Sequence, residues 1–280
     1  MRVAHITDLH VEVPPAVQEL FSKRLIGATN LYILGRKDHF SLDTVSALVR
    51  KVVELAPDLV VCTGDLTAMA SEAEFLKARE MLAPILDRFP FFVIPGNHDV
   101  YTGESVGRFG RHFGEWSGSK RSFGGLDWLA LDVCHPDWMS RGRAGTALAE
   151  LKKNLDEGED PAVILLHYPL RNRRGERYGP FTRALADAEG VEELLTHPRV
   201  RMVLHGHEHH GFRTSVHIGG RDVPIFDPGA SGYAFLPERR RTAHFNLYEI
   251  DPAALNGIER YTFDGKAFQT EEGGAYASGR

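Results

Sequence analysis

The sequence predicts an α/β fold organised as one large domain, and three observations carry that expectation. Short, largely apolar runs at residues 2–7, 59–63 and 91–94 alternate with stretches of helical period at 41–55 and 71–85, the pattern of parallel strands joined by crossover helices. Each run stops abruptly in Asp, Asn, His or Gly, as expected where a parallel sheet offers a site at the carboxyl ends of its strands. A chain of 280 residues with 42% hydrophobic content can bury a full core without dividing into smaller units.

Residues 2–7 form the first expected strand and end at Asp8-Leu9-His10. Side chains two apart in an extended segment point the same way, so Asp8 and His10 either converge on a metal or are a chance pair in a loop. Residues 11–40 are a long connection mixing Phe21, Leu25, Ile26, Leu31, Tyr32 and Ile33 with Lys23, Arg24, Arg36 and Lys37. This insertion reads as a cap over the site, an arm packed on the body or on a second subunit in a homodimer, or a peripheral membrane contact. Ser41 caps a helix with Val45, Leu48, Val49, Val52 and Val53 on its buried face, and Pro57 ends it. The second strand, 59–63, finishes at Gly64-Asp65. Ser71 with Glu74 is a capping-box signature for a helix buried along Phe75, Ala78, Leu82 and Ile85. The third strand delivers Gly96-Asn97-His98-Asp99.

The segment 101–125 has no clear periodicity apart from a short helix at 106–113. Further strands are expected at 126–133 and 161–166, the latter ending at His167, with a helix between them at 144–155. The run 171–178 holds Arg171, Arg173, Arg174 and Arg177, either a solvated surface loop or anion contacts beside the site. A helix at 182–195 precedes a strand at 200–204 that runs into His205-Gly206-His207-Glu208-His209-His210. Strands at 213–218, 222–226 and 243–250, joined by Gly- and Pro-rich turns, suggest a second, more antiparallel sheet. The domain spans 1–269, and the polar, Gly-rich tail 270–280 is expected to be loosely ordered.

The net charge of -5 and pI near 6.3 argue against a nucleic-acid polymer as partner. Two cysteines, Cys62 and Cys134, give no disulfide framework, and together with the lack of a signal-like or membrane-spanning segment they suggest a cytoplasmic protein. Asp8, His10, Asp65, Asn97, His167, His207 and His209 each follow a predicted strand. Imidazole, carboxylate and amide oxygen together suit manganese, iron or zinc rather than calcium. A bridging carboxylate would account for so many ligands.

The series Asp8-x-His10, Gly64-Asp65, Gly96-Asn97-His98-Asp99, His167 and Gly206-His207-x-His209 resembles the calcineurin-like metallophosphoesterase superfamily, with five motif blocks in family order. The resemblance implies a four-layer αββα sandwich, two central mixed sheets flanked by helices, with a dinuclear centre at the sheet edges. It places Asp8, His10 and His209 on one ion, Asn97, His167 and His207 on the other, and Asp65 between them. His98 is then the catalytic acid or phosphate contact, with Asp99 orienting it. The cofactors implied are two divalent ions, manganese or iron first, with zinc or cobalt as alternatives. A bridging hydroxide would attack a phosphodiester in line, His98 assisting the leaving group.

Two departures narrow the expected substrate. Gly64-Asp65 runs into Leu66-Thr67-Ala68-Met69 without the Asp-Arg-Gly extension of the protein phosphatases, and Ala68 stands where purple acid phosphatases carry a tyrosine ligand. The compact length and Gly229-Ala230-Ser231 are similar to bacterial class III cyclic-nucleotide phosphodiesterases, which makes a small-molecule diester the expected substrate. Alternatives are a UDP-2,3-diacylglucosamine pyrophosphatase-like or broad-specificity phosphodiesterase, and a metal-binding scaffold without turnover.

Overall fold

The computed structural model describes residues 1–14, 39–136, 141–179 and 184–277. Two six-stranded sheets lie face to face. In the first, β1 (Arg2–Ile6), β2 (Leu59–Cys62) and β3 (Phe91–Val93) run parallel, and β10 (His244–Ile250), β11 (Leu255–Phe263) and β12 (Phe268–Thr270) extend it antiparallel beyond β1. In the second, β5 (Leu126–Ala130), β6 (Ala162–Leu165), β7 (Val200–Leu204) and β9 (Arg221–Asp227) are parallel, with β4 (Lys120–Phe123) and β8 (Phe212–Ile218) as antiparallel edges.

Strand alternation divides the core. Val3, Leu59, Val61, Phe92 and Ile94 meet Trp128, Val163, Leu165, Met202 and Leu204 between the sheets. The intervening residues Ala4, Ile6, Val60, Cys62, Phe91 and Val93 face α1 (Leu42–Leu55) and α2 (Glu72–Leu86) through Val45, Leu48, Val52, Phe75, Ala78 and Leu82. On the far side Leu129, Ile164, Val203 and Ile225 pack under Leu151 and Leu155 of α4 (Ala147–Glu157) and Val191 of α5 (Ala188–Leu194). Burial on both faces is why these strands read as continuous apolar runs, and each buried Val, Leu or Phe contributes roughly 1.5–3 kcal/mol. The result is the four-layer arrangement of helices, sheet, sheet and helices.

The capping box at α2 is present in full: the Ser71 hydroxyl accepts from Glu74 N, and the Glu74 carboxylate accepts from Ser71 N. Ser41 sits at the N-cap of α1 in extended conformation, but its side chain makes no capping bond, and its own N–H donates to the Gly232 carbonyl instead. The helix expected at 106–113 starts earlier, as α3 (Gly103–Phe113).

Three expectations need correction. The late strands do not make a separate antiparallel sheet: β8 and β9 join the parallel second sheet, and β10 to β12 cross back to widen the first. The helix expected over 182–195 is short, α5 alone, with 182 and 183 outside the described residues. Nor is the chain loose from Thr270. Thr270 ends β12, and the buried Glu271 pairs with the fully buried Arg260 at 3.2 Å. Tyr276 donates its hydroxyl to the Asp227 carbonyl and lies under the Arg260 guanidinium. A buried cation needs such partners, and the tail supplies them. Most of the 11–40 insertion, 15–38, lies outside the described residues. At its ends Val11 pairs with the loop after β2, and Phe40 bridges to Tyr233.

Candidate metal centre

All the predicted site residues lie at one end of the two sheets, in loops that follow β1, β2, β3, β6 and β7. The backbone there is unusual. Asp8, His10, Asp65, His207 and His209 have φ of 52, 46, 54, 76 and 58°, in the left-handed region that costs a non-glycine residue of order 1–2 kcal/mol. The convergence of Asp8 with His10, and of His207 with His209, is therefore produced by left-handed turns, not by an extended exit from the strand. The strained loops support one another: Asp8 N donates to Gly64 O, His10 N to Asp65 O and Gly232 N to Asp8 O. Gly96 and Gly206 are sterically required. A Cβ on Gly96 would stand 2.1 Å from Asp65 Oδ1, and one on Gly206 would stand 2.6 Å from Asp8 Oδ2.

Asp8, His10, Asp65 and His209 form one group whose donor atoms could hold an ion, and Asp65, His167 and His207 form a second. Asp8 Oδ2 accepts from the Thr7 hydroxyl and from His207 N, whereas its buried Oδ1 has no hydrogen bond and lies 3.3 Å from His209 Nε2 and 3.8 Å from His10 Nε2. Asp65 Oδ1 accepts from His98 N, and its Oδ2 lies 3.4 Å from both His10 Nε2 and His167 Nε2. The shared carboxylate thus stands between the two groups. Asn97 completes the second, with Oδ1 3.2 Å from His167 Nε2 and 3.0 Å from His207 Nδ1.

This donor set fits cations. His167 Nδ1 donates to the Thr63 carbonyl at 2.7 Å, which fixes the tautomer and turns the Nε2 lone pair toward Asn97 Oδ1 and Asp65 Oδ2. Acceptors meeting acceptors at such distances call for a proton or a metal between them. The charges respond accordingly. Burial alone would raise both carboxyls, but the imidazoles His10 and His209 hold Asp8 well below the usual range, and His167 and His98 do so for Asp65. Burial opposes charge on His167 too, yet Asp65 and Asp8 raise it to about 9. His10, in the same field, is lowered because burial outweighs its carboxylate neighbours.

His98 lies on the rim, its ring 4.7 Å from that of His10. Its Nδ1 donates to the Ala68 carbonyl at 2.6 Å. Asp99 does not orient that ring directly. Its Oδ2 accepts from Gly96 N and Leu66 N, and its Oδ1 from the Thr67 N–H and hydroxyl. Consecutive side chains of a tight turn diverge, so Asp99 fixes the 66–68 loop whose carbonyl in turn holds His98. Burial, reinforced by the nearby Asp65 charge, pushes Asp99 up to about 7.

The arginine run is divided. Arg171 and Arg177 pair with Glu192 of α5, and Arg177 also pairs with Glu189. His210 is depressed by burial first, then by Arg241 and by Arg173. His205 Nδ1 donates to the Gly206 carbonyl and lies 3.4 Å from Asp227 Oδ2. Sequence reasoning missed three rings around the ligands: Phe40 lies 4.1 Å from His10 and 5.3 Å from His209, Tyr168 lies 4.2 Å from His207, and Tyr233 packs on Phe40 at 5.2 Å. Tyr168 adjoins His167 in sequence. Nothing in the sequence around Phe40 and Tyr233 marks them.

A family model described as calcineurin-like phosphoesterase matches residues 1–211, which span every motif loop described above. The chain belongs to the calcineurin-like phosphoesterase family. It is accordingly a hydrolase of phosphoric esters, in a family that uses divalent metals. A probable cyclic nucleotide phosphodiesterase from Synechococcus sp. is 27% identical over 235 residues, covering 81% of this chain and 78% of the relative. A probable glycerophosphodiester phosphodiesterase from Arcobacter nitrofigilis is 26% identical over 155 residues, 51% of this chain and 55% of the relative. Among solved structures, a dimetal phosphatase from Danio rerio superposes with a TM-score of 0.61 at 14% identity, over 96% of this chain and 98% of that one. A purple acid phosphatase from yellow lupin gives 0.62 at 15%, over 96% and 52%. These two likenesses concern the fold of this calcineurin-like phosphoesterase. Among its described residues no helix is long and apolar enough to cross a membrane.

Proposed function

We propose that the protein hydrolyses small phosphodiesters, cyclic nucleotides first, at a two-ion centre. The observation that carries this reading is the pair of donor groups sharing Asp65 Oδ2 with His98 beside them. Asp8, His10 and His209 would hold one ion, Asn97, His167 and His207 the other, and Asp65 would belong to both. Nitrogen and oxygen donors without sulfur suit manganese or iron. Such ions would supply positive charge to the phosphoryl oxygens and acidity to water.

The chain's own residues provide the rest. Asp8 and Asp65 stay ionised through their imidazole neighbours, and the Thr63 carbonyl keeps His167 Nε2 directed inward. With Nδ1–H committed to the Ala68 carbonyl, His98 Nε2 is the atom that would carry a proton to the departing oxygen. A diester's alkoxide needs that proton more than an acidic leaving group does. Ala68, where a ligand tyrosine would stand in purple acid phosphatases, here offers only its backbone carbonyl to His98. The cyclic-nucleotide choice is supported by the relative matched over most of both chains, and the glycerophosphodiester relative supports a linear-diester reading.

The test is hydrolysis of bis(p-nitrophenyl) phosphate by manganese-loaded protein, followed by kcat/KM for cyclic nucleotides, glycerophosphodiesters and UDP-2,3-diacylglucosamine. Inactivity with manganese, iron, zinc and cobalt would refute the reading, and preference for the lipid would replace its substrate. His98→Ala should lower diester kcat by about 10²–10⁴ while both ions remain bound; metal loss would reassign His98 as a ligand.

A further inference from the structure

The first sheet continues past the metal centre, and its unused edge holds a cavity of about 770 Å³. Strand order β1, β10, β11, β12 at about 4.8 Å per step carries this edge some ten to fifteen ångströms sideways from Asp8. The cavity is lined there by His244 of β10, Thr262 of β11 and Gln269 of β12, and closed by the 235–242 loop. It shares Arg240, Arg241, Thr242 and His244 with a narrow neck whose other walls are His209, His210 and Tyr233. One wall of the neck is thus a candidate metal ligand. The Arg241 guanidinium lies over the Tyr233 ring and donates to its hydroxyl, which links the neck through Phe40 to His10.

The lining selects the ligand chemistry. Phe235 is 42% exposed and lines the cavity, its ring packed at 89° to that of Phe263 and beside Gly265. On the far wall Asp264 is kept ionised by hydrogen bonds from Ala267 N and Lys266 N, with Gln269 beside it. The lining combines Arg240 and Arg241, which also border His209, with the exposed Phe235, the Asp264 and Glu272 carboxylates and the Gln269 amide, groups that can meet a phosphate, a planar heterocycle and its polar edge. An acyl chain would need continuous apolar walls instead. The volume suits a group of drug-like size.

Resting on the phosphodiesterase reading, we propose that this groove is the subsite for the nucleoside part of a nucleotide diester. The base stacks on Phe235, its edge meets Asp264 and Gln269, and Arg240 and Arg241 face the ribose phosphate.

Thymidine 5′-(p-nitrophenyl phosphate) and methyl p-nitrophenyl phosphate share a leaving group and differ in the nucleoside, so their kcat/KM ratio isolates the subsite. Manganese-loaded wild-type protein should prefer the thymidine ester. Phe235→Ala and the groove-filling Gln269→Trp should each lower the ratio about tenfold, the usual worth of a base stacked on a ring. Thymidine should also bind the metal-free wild-type protein by ligand-observed NMR and lose that signal in both variants. A wild-type ratio near one, or variants that change both esters by the same factor, overturns the subsite. If neither ester is cleaved, the phosphodiesterase reading fails, and the NMR result alone decides the subsite.

Discussion

One oxygen atom, Asp65 Oδ2, stands 3.4 Å from an imidazole of each donor group, and this makes the two groups unequal to mutation. Asp65→Asn removes the negative charge both would use, whereas Asn97→Ala removes a neutral oxygen from the His167 and His207 side alone. After dialysis against manganese, the wild-type chain should retain about two ions, Asn97→Ala about one, and Asp65→Asn almost none. If Asp65→Asn kept one ion, the carboxylate would serve one group and the bridging assignment would be wrong. The backbone around these side chains explains why they are not interchangeable with turn residues. Five of them are held in left-handed conformations, a cost that Asn or Gly would lower, yet neither carries an imidazole or a carboxylate.

At the level of elements, the sequence was most legible where burial is two-sided or a cap is local. The runs 59–63 and 91–94 became β2 and β3 because both faces are covered, and Ser71 with Glu74 formed its box within four residues of chain. The candidate ligands were legible as a set because strand ends in parallel sheets share an edge. What escaped depends on distant partners. β4 is a half-exposed edge strand, β11 contains Gly257 and loses its alternation at Glu259-Arg260, and neither is a plain apolar run. Asp99 was misread because the sequence shows adjacency to His98 but not that its carboxylate turns toward Leu66 and Thr67. Glu74 shows how such local burial acts on stability. Burial, only partly offset by its hydrogen bonds from Ser71 and Met69, pushes its carboxyl up to about 7 from 4.5. The folded state therefore holds a proton that the unfolded state has released. Its contribution is fully present below pH 4.5 and is lost as pH rises toward 7. Denaturant midpoints of metal-free protein between pH 4.5 and 7 should fall less steeply for Glu74→Gln than for wild type; equal slopes would show that another group titrates.

For the whole molecule, the centre joins two sheets that elsewhere meet largely through the apolar packing between them, with Arg121 of β4 donating to the Phe91 carbonyl of β3. Asp8, His10, Asp65 and Asn97 follow strands of the first sheet, and His167, His207 and His209 follow strands of the second. At that seam stand His10 against His209 and His167 against Asn97, at 3.2 Å in each case. Cations bound there would cross-link the layers and stabilise the folded state alone, because the unfolded chain does not assemble the donors. At a hundredfold excess over Kd a single site contributes about 2.7 kcal/mol, which for a domain of this size raises Tm by roughly 5–10 °C. With both sites filled, manganese added to chelator-treated protein should therefore raise Tm by more than that single-site amount. His167→Ala, which leaves the Asp8 group intact, should retain part of the shift, and Asp65→Asn should lose nearly all of it. Hydrogen exchange would locate the effect: manganese should slow exchange at the 8–11, 64–68 and 206–209 loops together. Slowing confined to loops of one sheet would mean that the ions are held by that sheet alone, and the two-sheet cross-link would fall.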